Sequence, residues 1–343
     1  MIKASLCSLV LVLSTGFTTQ NQESKPQARP LLIAHRGASG FAPEHTLAAY
    51  RLAIEQGADF VEQDLQITKD GALVCLHDAD LARTTNVAEI FPDRATLRDA
   101  MGTGRARKGY YTVDFTLAEI KQLDAGSWFN RANPFAARPE FASERVPTLQ
   151  EAIRLLDDRA GLYIEMKHYR FYKTIGFDMA ERLAKALVEG RYSGARSRRV
   201  FVQSFSKGSL LRLREIAPRY ARVQLLPMED EGREKDTSVI TSDLAKEIAR
   251  YAEGAGPNKS MIKSSEDVAA FHRAGLVVHP YTFRGPTTAV SRRPLDEALS
   301  NGPTLRQAMV EEIKRFLSFG INGGFTDYPS VWREADPLTK NSK

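Results

Sequence analysis

The stretch LLIAHRGASGFAPEHTLAAYRLAIEQG, residues 31–57, contains a short apolar run, a glycine-rich turn and an amphipathic run, in that order. The apolar run LLIAH is typical of a buried strand. In the amphipathic run Leu47 and Tyr50 share one face of a helix, and Thr46 can cap its beginning. Gly57 can end the same helix. The stretch therefore predicts a strand followed by a helix, which is the repeating unit of α/β folds.

The same alternation continues along the chain and predicts eight strands separated by helical segments. Eight such units over this length favour a closed (β/α)₈ barrel, or TIM barrel. A doubly wound open sheet is the alternative, because the number and period of the elements are the same in both folds. The turn after the first strand lacks the glycine spacing of a dinucleotide-binding fold, which weakens the nucleotide-binding form of that alternative. The predicted strands are 31–35, 59–68, 161–167, 199–205, 222–226, 258–262, 276–283 and 321–327.

Two segments interrupt this alternation. Residues 69–71, Lys-Asp-Gly, form a tight-turn sequence, so we expect the second strand to double back as a hairpin through residues 72–81. Residues 82–147 then form a long insertion, in which residues 116–123 favour one helix. Long loops in compact domains are usually functional or disordered, and aromatic residues argue against disorder. We therefore expect a cap region over the barrel mouth whose aromatic residues shape the pocket, namely Tyr110, Tyr111, Phe115, Trp128 and Phe129.

The composition indicates a globular protein with a mild positive charge. The 343 residues are 43% hydrophobic, and the net charge of +6 is spread along the chain. The densest basic cluster, at residues 196–200, lacks the aromatic interleaving of nucleic-acid-binding segments. We therefore expect no nucleic-acid partner, and a small-molecule substrate that carries negative charge.

The N-terminus has the pattern of an export signal. Lys3 supplies a positive start, residues 4–13 are apolar, and residues 14–16 are small enough for a cleavage site. The apolar run is too short to span a bilayer, so we expect an exported protein, periplasmic or secreted, without a stable membrane span. A partly buried N-terminal segment is the alternative. The expected divisions of the chain are a signal peptide at 1–16, a flexible leader at 17–29, the barrel at 30–335 and a tail at 336–343.

Acidic residues are concentrated near the expected carboxyl ends of the strands, where the active sites of TIM barrels lie. Glu62 and Asp64 are two positions apart on one strand and therefore project to the same face. Such a pair alone is more typical of a solvated strand face. However, Glu165 and Lys167 repeat the spacing on the next barrel strand, which favours a shared site. Three converging carboxylates suit Ca²⁺ or Mg²⁺ better than zinc.

Two histidines lie close to these carboxylates in the predicted barrel. His35 ends the first strand, and His77 lies on the return of the hairpin. A lone histidine at a strand end is usually a structural hydrogen-bonding residue, and we expect that role for His168, His272 and His279. Paired histidines can instead serve as general acid and general base near neutral pH. The pair therefore predicts proton transfer at this site.

Two cations complete the predicted site. Arg36 and Lys167 supply positive charge, and arginine is suited to bidentate contact with phosphate. Together with a hard metal ion and two histidines, they fit the cleavage of a phosphodiester. Cys75, within the apolar run ALVCL, is expected to be a small buried side chain rather than a nucleophile.

Several of these segments resemble the glycerophosphodiester phosphodiesterase family, namely HRGASGFAPEHTLAAY (35–50), GADFVEQDLQITKDGALVCLHD (57–78) and YIEMK (163–167). The combination of HRG, E-x-D, HD and E-x-K motifs is highly specific, and the resemblance extends over about residues 31–330. The insertion and VHPYTFR (278–284) are similar to the exported bacterial branch. The resemblance implies a (β/α)₈ barrel that releases an alcohol and sn-glycerol 3-phosphate. Its reaction can use the substrate's own neighbouring hydroxyl as nucleophile, which requires no protein nucleophile.

The resemblance also implies roles for the histidines and carboxylates. His35 matches the histidine of HRG and His77 the histidine of HD, which form the acid/base pair. The three carboxylates match the ligands of a divalent metal ion, with Ca²⁺ favoured and Mg²⁺ the alternative. These ligands are Glu62, Asp64 and Glu165.

The remaining implied site residues concern the phosphate and its surroundings. Arg36 and Lys167 match phosphate contacts, and Glu44 matches a supporting glutamate near the substrate. Tyr281, at the end of the seventh predicted strand, is a further candidate for substrate contact. His45 departs from the family pattern, because asparagine is usual at this position. This departure bears on the local turn, since histidine is bulkier than asparagine and can become charged.

The sequence therefore predicts a metal-dependent enzyme that hydrolyses glycerophosphodiesters. One alternative is a phosphodiesterase for lysophospholipids or sphingolipids on the same barrel, which would require an apolar groove for the acyl chain. Another is a non-catalytic binding protein for glycerophosphodiesters. The paired histidines argue against the binding protein, because binding alone does not require two proton carriers.

Overall fold

The structure is a computed structural model that describes part of the chain. The predicted signal peptide lies outside the described residues, as do the leader up to residue 28 and the tail from residue 337. Within the described part, no helix is both long and apolar enough to cross a bilayer. The described residues are 29–100, 104–228, 236–284, 295–296 and 303–336.

The described residues form eleven strands and twelve α-helices, with short 3₁₀ turns between them. The strands are β1 (Leu31–Ala34), β2 (Phe60–Ile67), β3 (Leu73–Cys75), β4 (Thr96–Arg98), β5 (Arg107–Gly109), β6 (Gly161–Met166), β7 (Val200–Ser204), β8 (Ala221–Leu226), β9 (Gly254–Pro257), β10 (Val277–Val278) and β11 (Gly323–Thr326). The helices are α1 (Leu47–Glu55), α2 (Val87–Ile90), α3 (Leu117–Ile120), α4 (Ser127–Ala132), α5 (Leu149–Leu156), α6 (Tyr169–Thr174), α7 (Met179–Glu189), α8 (Lys207–Ile216), α9 (Ser242–Ala249), α10 (Ser265–Arg273), α11 (Leu305–Ser318) and α12 (Pro329–Ala335).

Eight of the strands run parallel, in the order β10-β9-β8-β7-β6-β2-β1-β11. The two ends of this order meet, since the Asn322 N–H donates to the Val278 carbonyl (3.0 Å) and the Phe283 N–H donates to the Phe325 carbonyl (2.7 Å). The sheet is therefore a nearly closed barrel rather than a doubly wound open sheet, and the TIM-barrel prediction is confirmed.

The first βα unit follows the pattern of its sequence. Helix α1 begins after Thr46, whose side chain accepts a hydrogen bond from the Ala49 N–H. Its buried face includes Tyr50 and Ala53, which pack in the main hydrophobic core between the strands and the helices. Gly57 follows the helix with a φ of 79°, a left-handed conformation that glycine adopts readily. The unit leaves the HRG turn at the carboxyl end of β1.

The sixth barrel strand differs from its prediction. It was expected at residues 258–262, but the strand is β9, and the residues after it form a short 3₁₀ helix. Its sequence, GAGP, has no large side chain, so a search for apolar and β-branched runs misses it. Small residues are required because neighbouring side chains occupy the space. A Cβ on Gly254 would lie 2.8 Å from Val277 Cγ2, and one on Gly256 would lie 2.7 Å from Leu225 Cδ2.

The seventh barrel strand is shorter than predicted. The expected strand covered residues 276–283, but the continuous ladder of β10 contains only Val277 and Val278. Pro280 follows and has no N–H to donate, which interrupts the ladder. Isolated parallel bridges at Tyr281 and Phe283 continue the strand direction toward the barrel mouth.

The insertion after β2 begins with the predicted hairpin, in which β3 pairs antiparallel with β2. Helix α3 lies within the predicted helical segment 116–123, and β4 and β5 form a separate two-stranded sheet. Phe115 packs against Val74 of β3, and Phe129 packs in a second cluster with Ala49 of α1. These contacts attach the insertion to the barrel through β3 and α1.

Candidate active site

Side-chain alternation places apolar residues inside the barrel and polar residues at its carboxyl-terminal mouth. Positions two apart on a strand face the same side. Ile33, Tyr163 and Phe325 belong to the cluster in the barrel interior. Each is followed two positions later by a polar residue at the mouth, and the other strands add to that layer. The buried polar residues at the mouth are His35, Glu62, Asp64, Glu165, Lys167 and Gln203, with Asp327 beside them.

The three predicted metal-binding carboxylates do converge. Glu62, Asp64 and Glu165 are buried, and each offers an oxygen that lies within 4.8 Å of the others. Burial and the two neighbouring carboxylates raise the pKa of Glu62 well above its usual value. Burial likewise raises the pKa of Glu165 to about 8, although Lys167 opposes this shift. Without a cation among them, these carboxylates repel one another.

The surroundings of the carboxylates fit a divalent cation. Glu62 Oε1 accepts a hydrogen bond from the Gln203 amide (2.8 Å), and its Oε2 accepts one from the Arg36 N–H (3.0 Å). Asp64 Oδ1 is buried and has no hydrogen-bond partner among the described residues. The Lys167 ammonium lies 3.5 Å from that oxygen. A buried carboxylate oxygen that no donor satisfies is the kind of ligand a hard cation takes.

His35 is held by a carboxylate that the sequence analysis did not assign. Its Nδ1 lies 2.6 Å from Asp327 Oδ1, and its Nε2 lies 3.7 Å from Glu62 Oε2. Burial and the Arg36 charge lower the pKa of His35 to about 4, although Asp327 opposes the shift. Burial raises the pKa of Asp327, but His35 outweighs this and holds it below the usual value. A neutral His35 therefore carries its proton on Nδ1 and leaves Nε2 free to accept one.

His77 has a matching arrangement closer to solvent. Its Nδ1 lies 2.5 Å from Asp78 Oδ1, and its side chain is 32% exposed. Arg83, from the first turn of the insertion, donates to the other oxygen of Asp78. Burial and the Lys167 charge lower the pKa of His77, although Asp78 opposes this. Each of the two predicted proton carriers thus has a carboxylate that fixes its ring.

Arg36 lies in the turn after β1 with a φ of 57°, a left-handed backbone conformation. Its guanidinium donates to Glu44 Oε1 (3.0 Å), and its Nε lies 3.6 Å from Asp64 Oδ2. Glu44 also accepts two hydrogen bonds from Arg83, at 2.7 and 3.0 Å. Burial raises the pKa of Glu44, but the two arginines hold it well below its usual value. Glu44 therefore holds the Arg36 guanidinium in a fixed position.

A cavity of about 360 Å³ opens above these residues. Glu44 is not among the lining residues and contacts Arg36, which is. Tyr281 does line it, but its hydroxyl already donates to the Leu226 carbonyl (2.7 Å). The lining residues are His35, Arg36, Glu62, Asp64, His77, Glu165, Lys167, Gln203, Phe205, Leu225, Tyr281, Thr282, Arg284 and Phe325.

The expected aromatic cap does not form the wall of this cavity. The five aromatic residues of the insertion all lie in the described part of the chain, and none of them lines the cavity. Phe115 and Phe129 are instead buried in clusters that join the insertion to β3 and α1, and Tyr111 is buried in the main core. These side chains stabilise the insertion itself. Arg83 is the residue through which the insertion reaches the site.

His45, at a position where the resemblance predicts asparagine, is buried directly behind the carboxylate cluster. Its Nε2 lies 2.8 Å from Asp64 Oδ2, and its Nδ1 lies 3.0 Å from the Tyr50 hydroxyl. Two of the three histidines predicted to be structural make hydrogen bonds away from the carboxylates. His279 hydrogen-bonds the Tyr163 hydroxyl (3.0 Å) inside the barrel, and His272 hydrogen-bonds Asn322 (2.8 Å).

Sequence reasoning missed three residues of the site. Asp327 ends the predicted strand 321–327, so the strand-end rule that found Glu62 would also have found it. Gln203 lies near the end of the predicted strand 199–205, but its residue type alone indicates no role. Arg83 lies at the start of the insertion, and no pattern in the sequence shows that it contacts Glu44.

Comparison with known proteins agrees with this geometry. Residues 35–331 match the model of the Glycerophosphoryl diester phosphodiesterase family. The chain is 36% identical to the glycerophosphodiester phosphodiesterase of Bacillus subtilis (strain 168) over 308 residues, which cover 89% of this chain and 86% of that protein. It is 29% identical to that of Haemophilus influenzae, over 95% of each chain.

Solved structures also share the fold. One is a phosphodiesterase from Oleispira antarctica in complex with the product sn-glycerol-3-phosphate, with a TM-score of 0.64 and 25% identity over 90% of this chain and 96% of that chain. Another is a glycerophosphodiester phosphodiesterase from Agrobacterium tumefaciens, with a TM-score of 0.59 and 25% identity over 89% of this chain and 99% of that chain.

The fold and the site define a phosphoric diester hydrolase built on a TIM barrel, and the family match makes the assignment specific. The chain belongs to the glycerophosphoryl diester phosphodiesterase family. It hydrolyses glycerophosphodiesters, and the buried carboxylates at its barrel mouth form a cluster that could hold a metal ion.

Proposed function

We propose that the enzyme uses a divalent metal ion to hydrolyse glycerophosphodiesters to an alcohol and sn-glycerol 3-phosphate. The observation that carries the proposal is the convergence of three carboxylates, two carboxylate-held histidines and two cations on one cavity. The Oleispira antarctica phosphodiesterase, which has the same fold, was solved with sn-glycerol-3-phosphate as product. That product supports the proposal that the substrate of this enzyme contains a glycerol phosphate group.

The phosphate of the substrate would bind between Arg36 and Lys167, whose charges face the same cavity. A divalent cation held by the three carboxylates would supply further positive charge to the phosphoryl oxygens in the transition state. Lys167 is held by Glu165 at 2.9 Å and Arg36 by Glu44 at 3.0 Å, so both cations are oriented before the substrate arrives. Such preorganised charge stabilises the transition state more than mobile charge does.

The two histidines would move the protons. His35 is neutral at pH 7 and lines the cavity, which suits a base that accepts the proton of the substrate's attacking hydroxyl. That attack expels the alcohol and leaves a cyclic phosphate, which a water molecule then opens to sn-glycerol 3-phosphate. His77 is nearer to solvent and suits the acid that protonates the leaving alcohol. Asp327 and Asp78 would stabilise the imidazolium that each histidine forms. Neither step requires a protein nucleophile.

Calcium is the metal we propose. Ligand oxygens on opposite sides of Ca²⁺ are about 4.6–5.2 Å apart, because each bond is about 2.3–2.6 Å long. For Mg²⁺, with bonds of about 2.0–2.1 Å, the largest separation is about 4.2 Å. The three carboxylate oxygens lie within 4.8 Å of one another, a separation that Ca²⁺ accommodates without rearrangement of the site.

The test is hydrolysis of glycerophosphocholine before and after EDTA treatment, followed by add-back of Ca²⁺ or Mg²⁺. We expect activity to be lost on chelation and restored best by Ca²⁺. His77→Ala should lower kcat by about 10²–10⁴-fold, the usual contribution of acid/base catalysis. His272→Ala, a surface histidine away from the cavity, is the matched control and should keep full activity. Full activity after complete chelation would contradict the metal site, and near-native turnover of His77→Ala would contradict its role.

We also propose that the protein is exported, on the pattern of residues 1–16. Mass spectrometry of the mature N-terminus tests this proposal. Cleavage after the small residues at 14–16 is the expected result, and a retained N-terminus in cytoplasmic protein would contradict it.

A further inference from the structure

His45 occupies a backbone position that does not favour histidine. Its φ is 55°, in the left-handed region, where asparagine is more readily accommodated than most other residues. The His45 N–H donates to the Arg36 carbonyl (3.0 Å), and the next residue, Thr46, caps α1. The position is thus fixed between the HRG turn and the first helix. The side chain is only 2% exposed, so it contributes through its buried contacts.

Both ring nitrogens of His45 have a defined partner. A carboxylate can only accept, so the Nε2–H donates to Asp64 Oδ2 at 2.8 Å. Nδ1 then accepts from the Tyr50 hydroxyl at 3.0 Å. The Tyr50 hydroxyl therefore determines which ring nitrogen of His45 carries the proton that is donated to Asp64.

The contact determines which oxygen of Asp64 is available. Oδ2 is held by His45 and lies 3.6 Å from the Arg36 Nε. Oδ1 has no hydrogen-bond partner among the described residues. His45 therefore fixes the rotation of the carboxylate and leaves Oδ1, which lies 3.5 Å from the Lys167 ammonium, without a hydrogen bond in the cluster formed with Glu62 and Glu165.

We infer that His45 is a positioning residue that orients Asp64 for divalent-metal binding, and that Tyr50 fixes the His45 ring for this purpose. The inference rests on the proposed metal-dependent function. Partners that orient a metal ligand commonly change metal affinity by about 10–100-fold when they are removed. His45 does not line the cavity, so it acts on the site through its contact with Asp64.

Two substitutions separate this role from a structural one. In His45→Asn the amide suits the left-handed backbone but ends near the Nδ1 position, too short to reach Asp64. In His45→Gln the amide nitrogen can reach the Nε2 position and donate to Asp64. We expect His45→Asn to be at least as stable as the wild type yet to bind metal more weakly. His45→Gln should retain most of the metal affinity without a gain in stability.

The measurement is calorimetric titration of EDTA-treated protein with Ca²⁺ alone, together with thermal unfolding of the metal-free protein. We expect the Kd for Ca²⁺ to rise about 10–100-fold in His45→Asn, by less in Tyr50→Phe, and least in His45→Gln. With saturating Ca²⁺, the kcat of His45→Asn on glycerophosphocholine should return to within a few-fold of wild type, with KM unchanged.

The outcomes distinguish the inference from the proposed function. Wild-type Ca²⁺ affinity in His45→Asn would overturn the inference alone, as would a loss in His45→Gln equal to that in His45→Asn. Parallel losses of stability and affinity in both variants would also overturn it, because a purely structural role predicts them. A wild-type enzyme that binds Ca²⁺ but hydrolyses its substrate equally well without it would overturn the metal-dependent function instead.

Discussion

Replacement of Asp327 by asparagine tests whether the carboxylate behind His35 contributes to the reaction. When His35 accepts a proton, an imidazolium forms beside this carboxylate, whose Oδ1 is 2.6 Å from Nδ1. The centres of the two charges are then roughly 4 Å apart, where their attraction at an effective dielectric constant of 20 is about 4 kcal/mol. This energy corresponds to about 10³-fold in rate. The asparagine amide can also donate to Nδ1, which would move the ring proton to Nε2 and block the base.

The assay is steady-state hydrolysis of glycerophosphocholine by Asp327→Asn at saturating metal. We expect kcat to fall by about 10²–10³-fold, within the range of acid/base contributions, with little change in KM because Asp327 is behind the histidine. Asp243→Asn, an exposed carboxylate in the first turn of α9, is the control for loss of one negative charge. A kcat within threefold of wild type, with thermal stability unchanged, would refute the role of Asp327 and weaken that of His35 as the base.

Two further predictions concern the supports of the site and the barrel interior. Arg83→Met removes the hydrogen bonds that Arg83 donates to Glu44 and Asp78. We expect kcat to fall only about tenfold, because the arginine is partly exposed and its contacts are therefore weak. Unchanged kinetics would show that the insertion does not influence the site. Burial lowers the pKa of His279 to about 3, so the unfolded chain binds a proton below pH 6.5 that the native state excludes. The free energy of unfolding is therefore unaffected by this group above pH 6.5 and decreases as the pH falls toward 3. At pH 5 the decrease due to His279 is about 2 kcal/mol. His279→Gln can still hydrogen-bond Tyr163 but cannot take up this proton. Its free energy of unfolding, measured with urea, should therefore decrease less between pH 7 and pH 5 than that of the wild type. An identical decrease in both proteins would contradict the role of His279.

The barrel and the main site residues could be predicted because their signals are local. A strand, a turn and a capped helix each have their own pattern, and alternation along β2 places Glu62 and Asp64 on one face. The strand β9 was misplaced because its four small residues have no apolar pattern, and it is a strand only through pairing with its neighbours.

The site residues that the sequence analysis did not assign are brought to the site by contacts between segments distant in the chain. Asp327 is 292 positions from His35, and Arg83 is 39 positions from Glu44. Sequence alone shows the residue types but not which of them meet. The aromatic residues of the insertion were assigned to the pocket because a long loop rich in aromatic residues was expected to be functional, whereas Phe115 and Phe129 are buried in clusters that join the insertion to β3 and α1.

Gly256 of β9 lies against a residue that also lines the catalytic cavity, so the size of the cavity and the packing of the barrel depend on each other. Leu225 fills the space that a side chain at Gly256 would need, and the same leucine lines the catalytic cavity. A smaller residue at position 225 would therefore enlarge the substrate pocket and at the same time leave a void against β9. An engineer who widens this pocket has to restore the lost volume on the neighbouring strand, and Gly256 is the position at which a compensating methyl group can be added.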